Sequence, residues 1–280
     1  METMYLLLLS TLISPLILYL IFAVTLRPRP VNIPVRDRHV FISGGSSGIG
    51  IALAYQAVLQ GARVSILARN IAKLEEARDS IRRSTGVDVG IYSADVRDIV
   101  AVKRAVDEAG EIDVLICNHG VFYAEELDLQ DSETVKFMVD VNLVGTLNLI
   151  KAALPAMKNR KNRGPGSIAL VSSQAGQVYN KKRPKMTRII VAQSSVMKAE
   201  KVAKITLKGI QSGTFLIHCN FQGLLLSLGS AGSAPQRSPL MAVVGIAAAV
   251  AISIITRVFQ YRLYGSLERW GAQKKKLAKT

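Results

Sequence analysis

The chain has 280 residues, 49% of them hydrophobic, and a formal charge of +16. That length holds one α/β domain with appendages or two small domains, and nine prolines with 21 glycines are too few for a disordered or collagen-like chain. The basic residues fall in separate groups at 27–38, 158–163, 181–185 and 274–276, with no RNA-binding aromatic motif and no paired zinc-ligand spacing, so neither nucleic acid nor a metal is expected.

In chain order, residues 5–26 form an almost unbroken apolar run, long enough as a helix to cross ~30 Å of hydrocarbon. Only Glu2 and no basic region precedes it, which argues against a cleaved signal. Arg27, Arg29, Arg36 and Arg38 follow, and the positive-inside rule then puts the rest of the chain in the cytosol. Residues 1–27 are read as a retained transmembrane anchor. Cys117 and Cys219 have no disulfide or metal spacing and read as reduced packing residues, which suits that compartment.

From residue 38 to 178, short apolar strands alternate with helices. Strands are expected at 40–42, 63–68, 89–92, 113–117 and 167–172, and helices at 49–60, from the cap Asn70 to about Ser84, at 99–109, and as one long helix over 132–157. This alternation implies a doubly wound parallel sheet covered on both faces. After residue 178 the pattern breaks. Residues 179–238 hold a short basic stretch, an amphipathic helix at 198–211 and an expected strand at 213–219. Residues 239–257 are a second apolar segment, at the short limit for a span, and 258–280 a basic tail.

The first strand runs into Ser43-Gly44-Gly45-Ser46-Ser47-Gly48-Ile49-Gly50, a glycine-rich turn before a helix. Glycine lets the backbone approach a pyrophosphate, and the helix N-terminus offers unpaired N–H groups there. At the end of the second strand, where an acidic residue would bind ribose hydroxyls, stand Arg69 and, one turn on, Lys73. A guanidinium suits a 2′-phosphate, so NADPH is the expected cofactor.

With Asp95-Val96, Cys117-Asn118-His119-Gly120, Asn142 and Ser172-Ser173, these motifs resemble those of the short-chain dehydrogenase/reductase family. The stretches 44–50, 67–70, 140–145, 170–177 and 233–238 resemble, within it, the 3-ketodihydrosphingosine (3-dehydrosphinganine) reductases, especially plant forms. The resemblance implies a Rossmann-like fold, reduction of the long-chain keto-lipid 3-ketodihydrosphingosine in sphingolipid synthesis, and residence in the endoplasmic reticulum membrane. It implies that Gly44, Ser46, Ser47, Gly48, Ile49, Gly50, Arg69, Lys73, Asp95, Val96, Asn118 and Gly120 hold the cofactor. Asn142 would serve a proton relay and Ser173 would hydrogen-bond the substrate carbonyl. Association with further copies of the chain is left open.

One part of the pattern is absent. The family's proton donor is a tyrosine about thirteen residues beyond the serine, with a lysine four residues further on to lower its pKa. Here those positions are Met186 and Ile190, Tyr179 is followed four residues on by Arg183, and no Tyr-x-x-x-Lys occurs in 173–222. By comparison with the family, a segment of roughly 45–50 residues after residue 178, enough for a catalytic helix and a sixth strand, is missing. The sheet is expected to be truncated after its fifth strand. The chain then reads as a reductase of weak or no activity, the alternatives being a non-catalytic membrane-bound nucleotide-binding or interaction protein and a non-functional truncated isoform.

Overall fold

A computed structural model describes residues 31–123, 129–160, 163–172 and 197–220, with residues 13, 14, 17, 18, 21, 223 and 224. The chain divides into two compact units, Met1–Pro30 with Asn220–Thr280, and Val31–Cys219. In the first, the described residues of the expected anchor are helical, and Ile13, Ile17, Leu18 and Ile21 are exposed. The rest of the anchor, and the apolar segment at 239–257, lie outside the described residues.

The second unit contains β1 (His39–Ser43), α1 (Gly48–Leu59), β2 (Arg63–Ala68), α2 (Ile71–Thr85), β3 (Gly90–Ser93), α3 (Ile99–Ala109) and β4 (Val114–Cys117). α4 (Ser132–Val139), a π turn (Asp140–Val144) and α5 (Gly145–Asn159) form one continuous helix, followed by β5 (Ser167–Leu170) and α6 (Ala199–Gln211). All ladders are parallel, in the order β3-β2-β1-β4-β5, with Ile42 opposite both Ile66 and Ile116. This is the expected Rossmann-like α/β sheet.

Alternation along the strands sorts the core into two layers. Val40, Ile42 and Ile66 pack with Leu53 of α1, Leu74 and Ile81 of α2 and Leu207 of α6. Phe41, Leu67 and Leu115 point the other way, to Val102 and Val106 of α3 and Leu149 and Ala153 of α5. Asn70 caps α2 as expected, accepting from the Lys73 N–H at 3.1 Å, and Asp98 and Asp131 cap α3 and α4.

Three expectations are corrected. Residues 213–219 are not a strand. A strand needs a ladder, and this stretch instead folds back on α6, where Ile217 lies over Gly209 at a distance no Cβ would tolerate. The long helix is not regular, because the π turn adds a residue to its ladder at Asp140–Val144. β5 ends at Leu170 rather than 172 and is only half-buried, with Leu170 61% exposed, although a parallel strand is normally covered on both faces. Among the described residues, only the helix Ser132–Asn159 is long and apolar enough to cross a membrane by length and composition. Its Val141, Leu149, Ala153 and Met157 are buried in the second core layer, so it is a domain helix.

The strands start at a polar cluster. Asp113, 1% exposed, accepts from His39 N (2.9 Å), Arg38 Nη1 (3.2 Å), Arg160 Nη1 (2.8 Å) and Arg163 Nη2 (2.7 Å). Burial works to raise its pKa, but the hydrogen bonds from His39 and Arg38 and the arginine charges outweigh that and hold it low. His39, 1% exposed, lies 2.8 Å from Ser65 Oγ, and burial lowers its pKa from 6.5 to about 4. The unfolded chain therefore takes up this proton at higher pH than the folded one. Stability is full above pH 6.5 and falls as the pH drops toward 4, by up to about 3 kcal/mol from this residue. Denaturant unfolding in detergent at stepped pH should show that slope, and His39→Gln should flatten it whatever it does to the plateau.

Candidate cofactor and catalytic site

The site begins where β1 ends. Ser43 is buried, and its Oγ accepts from Asn118 N (3.1 Å) and lies 2.6 Å from His119 Nδ1. This hydroxyl binds the glycine turn to the loop after β4. Gly44 has φ +65°, and a Cβ there would stand 2.9 Å from His119 Cα, so the two backbones meet only because the residue is glycine. Gly50 lets the first turn of α1 rest on the Gly44 carbonyl, which also accepts from Asn118 Nδ2 at 3.2 Å.

The outer side of the turn is open. Gly48 has φ +57° and nothing within 4 Å of where a Cβ would be. Ser47 stands at the N-cap of α1 with no cap hydrogen bond from its side chain, and no acidic residue occupies the first turn. Exposed Ser47, half-buried Ser46 and the start of α1 thus surround N–H groups with partial positive charge and no side-chain partner. Ile49 is half-buried and packs into the core, fixing the helix behind them. This is a cradle that a pyrophosphate fits.

At the end of β2, Arg69 and Lys73 are both exposed, and neither side chain makes a hydrogen bond or ion pair among the described residues. They are free cations beside the N-terminus of α2, as a 2′-phosphate requires. Asp95 is more committed. Arg97 donates to both carboxylate oxygens at 2.7–3.1 Å and its N–H donates at 3.0 Å, which holds the Asp95 pKa below the usual range. Arg97 in turn lies 4.8 Å over the Phe137 ring. Val96 is buried against Gly145, and its carbonyl accepts from Asn148 at 3.0 Å.

Asn142 lies on the π turn. Its Oδ1 accepts from Val121 N and its Nδ2 donates to Val121 O, both at 2.8 Å, and a Cβ on Gly120 would come 3.3 Å from that Oδ1. Gly120 and Asn142 are therefore brought together, with Asn142 clamping the loop after β4. Two residues not singled out from the sequence complete the link. Thr146 Oγ1 donates to the Asn142 carbonyl at 2.8 Å and lies 3.3 Å from His119 Nε2. Burial holds the His119 pKa below its ordinary value. A continuous contact path thus runs Ser43–His119–Thr146–Asn142. Only their places beside recognised motifs signalled them. Cys117, its thiol pushed up to about 12 by burial, is a packing group. Ser173 and Tyr179 lie outside the described residues.

Residues 38–185 match the family model described as short chain dehydrogenase. The chain is 47% identical to 3-dehydrosphinganine reductase TSC10A of Arabidopsis thaliana, over 89% of this chain and 91% of that protein. It is 46% identical to 3-dehydrosphinganine reductase TSC10B of the same plant, over 92% and 93%. Among solved structures, L-sorbose reductase from Gluconobacter frateurii, complexed with NADPH and L-sorbose, superposes with a TM-score of 0.48 at 25% identity, covering 65% of this chain and 68% of that one. The first alignment runs over 298 positions, while 89% of 280 residues is about 249, so about 49 positions of the relative face no residue here. The second gives the same difference, 307 positions against about 258 residues.

The free guanidinium of Arg69 sets the next expectation. Arg69→Asp should lower the ratio of NADH to NADPH dissociation constants by about 10–100-fold, the equivalent of about 1.5–3 kcal/mol for a charge-assisted contact. Fluorescence titration of both nucleotides against both proteins reads it. Equal ratios before and after the substitution would exclude Arg69 from the cofactor's phosphate.

Proposed function

The chain belongs to the short chain dehydrogenase family, and we propose that it is a membrane-anchored form of 3-dehydrosphinganine reductase that keeps the NADPH site and has lost its proton donor. It would face the cytosol from the endoplasmic reticulum membrane. The carrying observation is the coincidence of two facts: near-complete alignment with two reductases at 46–47% identity, and no Tyr-x-x-x-Lys in residues 173–222. About 49 unmatched positions agree with the length of segment the sequence lacks. We place that gap after residue 178. The exposure of Leu170, Leu143 and Leu147 supports the loss of a covering element.

Ketone reduction needs a hydride and a proton. Bound NADPH supplies the hydride. In this reading the first turn of α1 holds the pyrophosphate by its N–H groups, and Gly44 and Gly48 leave room for it. Arg69 and Lys73 neutralise the 2′-phosphate, and Asp95 and Val96 border the adenine. Asn118 and Gly120 shape the nicotinamide side, and Asn142 fixes that loop. Ser173 would donate to the carbonyl of 3-ketodihydrosphingosine. Nothing in the chain then protonates the alkoxide with a tuned acid: Tyr179 is six residues from Ser173 and has no lysine four residues on. A nucleotide-binding role without turnover is the second reading, and the intact cradle with a lost acid is what favours it.

Full-length protein in detergent, given NADPH and 3-ketodihydrosphingosine, should form product at least about 10²–10⁴-fold more slowly than the intact plant reductases, because general acid catalysis contributes about that much. It should still bind NADPH. Insertion of a Tyr-x-x-x-Lys segment after Val178 should restore turnover. Rates in the ordinary range of about 1–10³ s⁻¹ without insertion would overturn the reading, and their loss in Tyr179→Phe would then identify the acid.

A further inference from the structure

The sheet end opposite the glycine turn carries a group of arginines that ketone reduction does not use. The strands are parallel, so the starts of β1, β2 and β4 gather there. Asp113 serves Arg38, Arg160 and Arg163 together, and the Glu111 carboxylate accepts from a second nitrogen of Arg163. Arg63 has no carboxylate partner among the described residues. Its Nη2 lies 2.7 Å from His39 Nδ1 and donates to the carbonyls of Ala109 and Glu111 at 3.3 Å. Arg36, its stem lying beside Gly61, makes no hydrogen bond or ion pair among the described residues. Five arginines, 36, 38, 63, 160 and 163, thus meet three acids, 37, 111 and 113. His39 adds no charge above about pH 4.

A cleft of about 460 Å³ opens among them, walled by Arg38, Arg63 and Arg163, which outnumber the one acid on its lining, Asp37, and floored by Val58, Gly61 and Ala62. Among the described residues Arg38 uses only Nη1 and Arg63 only Nη2 in hydrogen bonds, so their other guanidinium N–H groups have no partner there. Two forks with free donors match the oxygens of a phosphate. We propose that this cleft is a second anion site, which takes the phosphate of an anionic phospholipid headgroup.

The choice of a lipid source rests on the anchor reading; the anion site itself does not. Only twelve residues separate the apolar run ending at residue 26 from the start of β1 at His39. Such a tether reaches at most about 40 Å when fully extended. It carries Arg27, Arg29, Arg36 and Arg38, a basic stretch next to the expected anchor of the kind that anionic headgroups attract.

The test is hydrogen exchange of the full chain in non-ionic detergent, titrated separately with dioctanoylphosphatidic acid, dioctanoylphosphatidylcholine and inorganic phosphate. Phosphatidic acid should slow amides at 36–40 and 60–65 by about tenfold at ten times its Kd. Phosphatidylcholine and equimolar phosphate should leave them unchanged. The double variant Arg36→Gln and Arg63→Gln, which leaves every arginine on Asp113 in place, should lose the effect, and Arg69→Asp should keep it. Equal slowing by inorganic phosphate would overturn the lipid assignment. Protection confined to 44–50 and 69–73 would assign the anion to the cofactor cradle and overturn the second site. So would no protection, or fast exchange throughout β1, because the cluster then has no fixed geometry.

Discussion

Every ladder in the sheet is parallel, so each strand needs apolar cover on both faces, and most of the molecule follows from that demand. The connections must be helices, and they fall on alternate sides: α1, α2 and α6 over Val40 and Ile42, α3 and α5 over Phe41. β1 lies in the middle, with β2 on one side and β4 on the other. The strand order reverses there, which opens a crevice at the carboxyl ends of β1 and β4. The glycine turn and the loop after β4 meet in that crevice. β5 is where the demand is not met.

The crevice is held by specific bonds rather than by glycine alone. Ser43 Oγ reaches across to Asn118 and His119, His119 reaches Thr146, and Asn142 clamps Val121. All of these residues precede residue 150, and so do Arg69, Lys73, Asp95 and Val96. The cofactor residues expected from the sequence and placed by the fold therefore lie upstream of β5. The proton donor of the family, and the lysine that in the family also meets the nicotinamide ribose, belong downstream of it.

The parts legible in the sequence were those with a local cause. A strand, a glycine turn and a helix in succession predicted β1 and α1 within two residues, and Asn70 marked a helix start that the structure reproduces. Asp113 looked like an ordinary first strand residue. Its three arginines come from positions 38, 160 and 163, and only the fold brings them together. His119 was likewise visible only as a member of the Cys117–Gly120 motif, since its partners are 76 and 27 residues away. The strand expected at 213–219 had suitable composition, but composition cannot supply the neighbouring ladder that a strand requires.

The helix from Ser132 to Asn159 carries apolar residues on two faces and buries one of them. Its inner row, Val141, Gly145, Leu149, Ala153 and Met157, repeats every four residues and is buried. A second row, Val135, Val139, Leu143 and Leu147, repeats at the same spacing and is 36–58% exposed. A spacing of four drifts around a regular helix of 3.6 residues per turn. The extra residue taken up by the π turn offsets that drift, so each row stays on its own face. A helix apolar on two faces is suited to burial on both. The sheet satisfies the inner face. The outer row is left without such cover among the described residues.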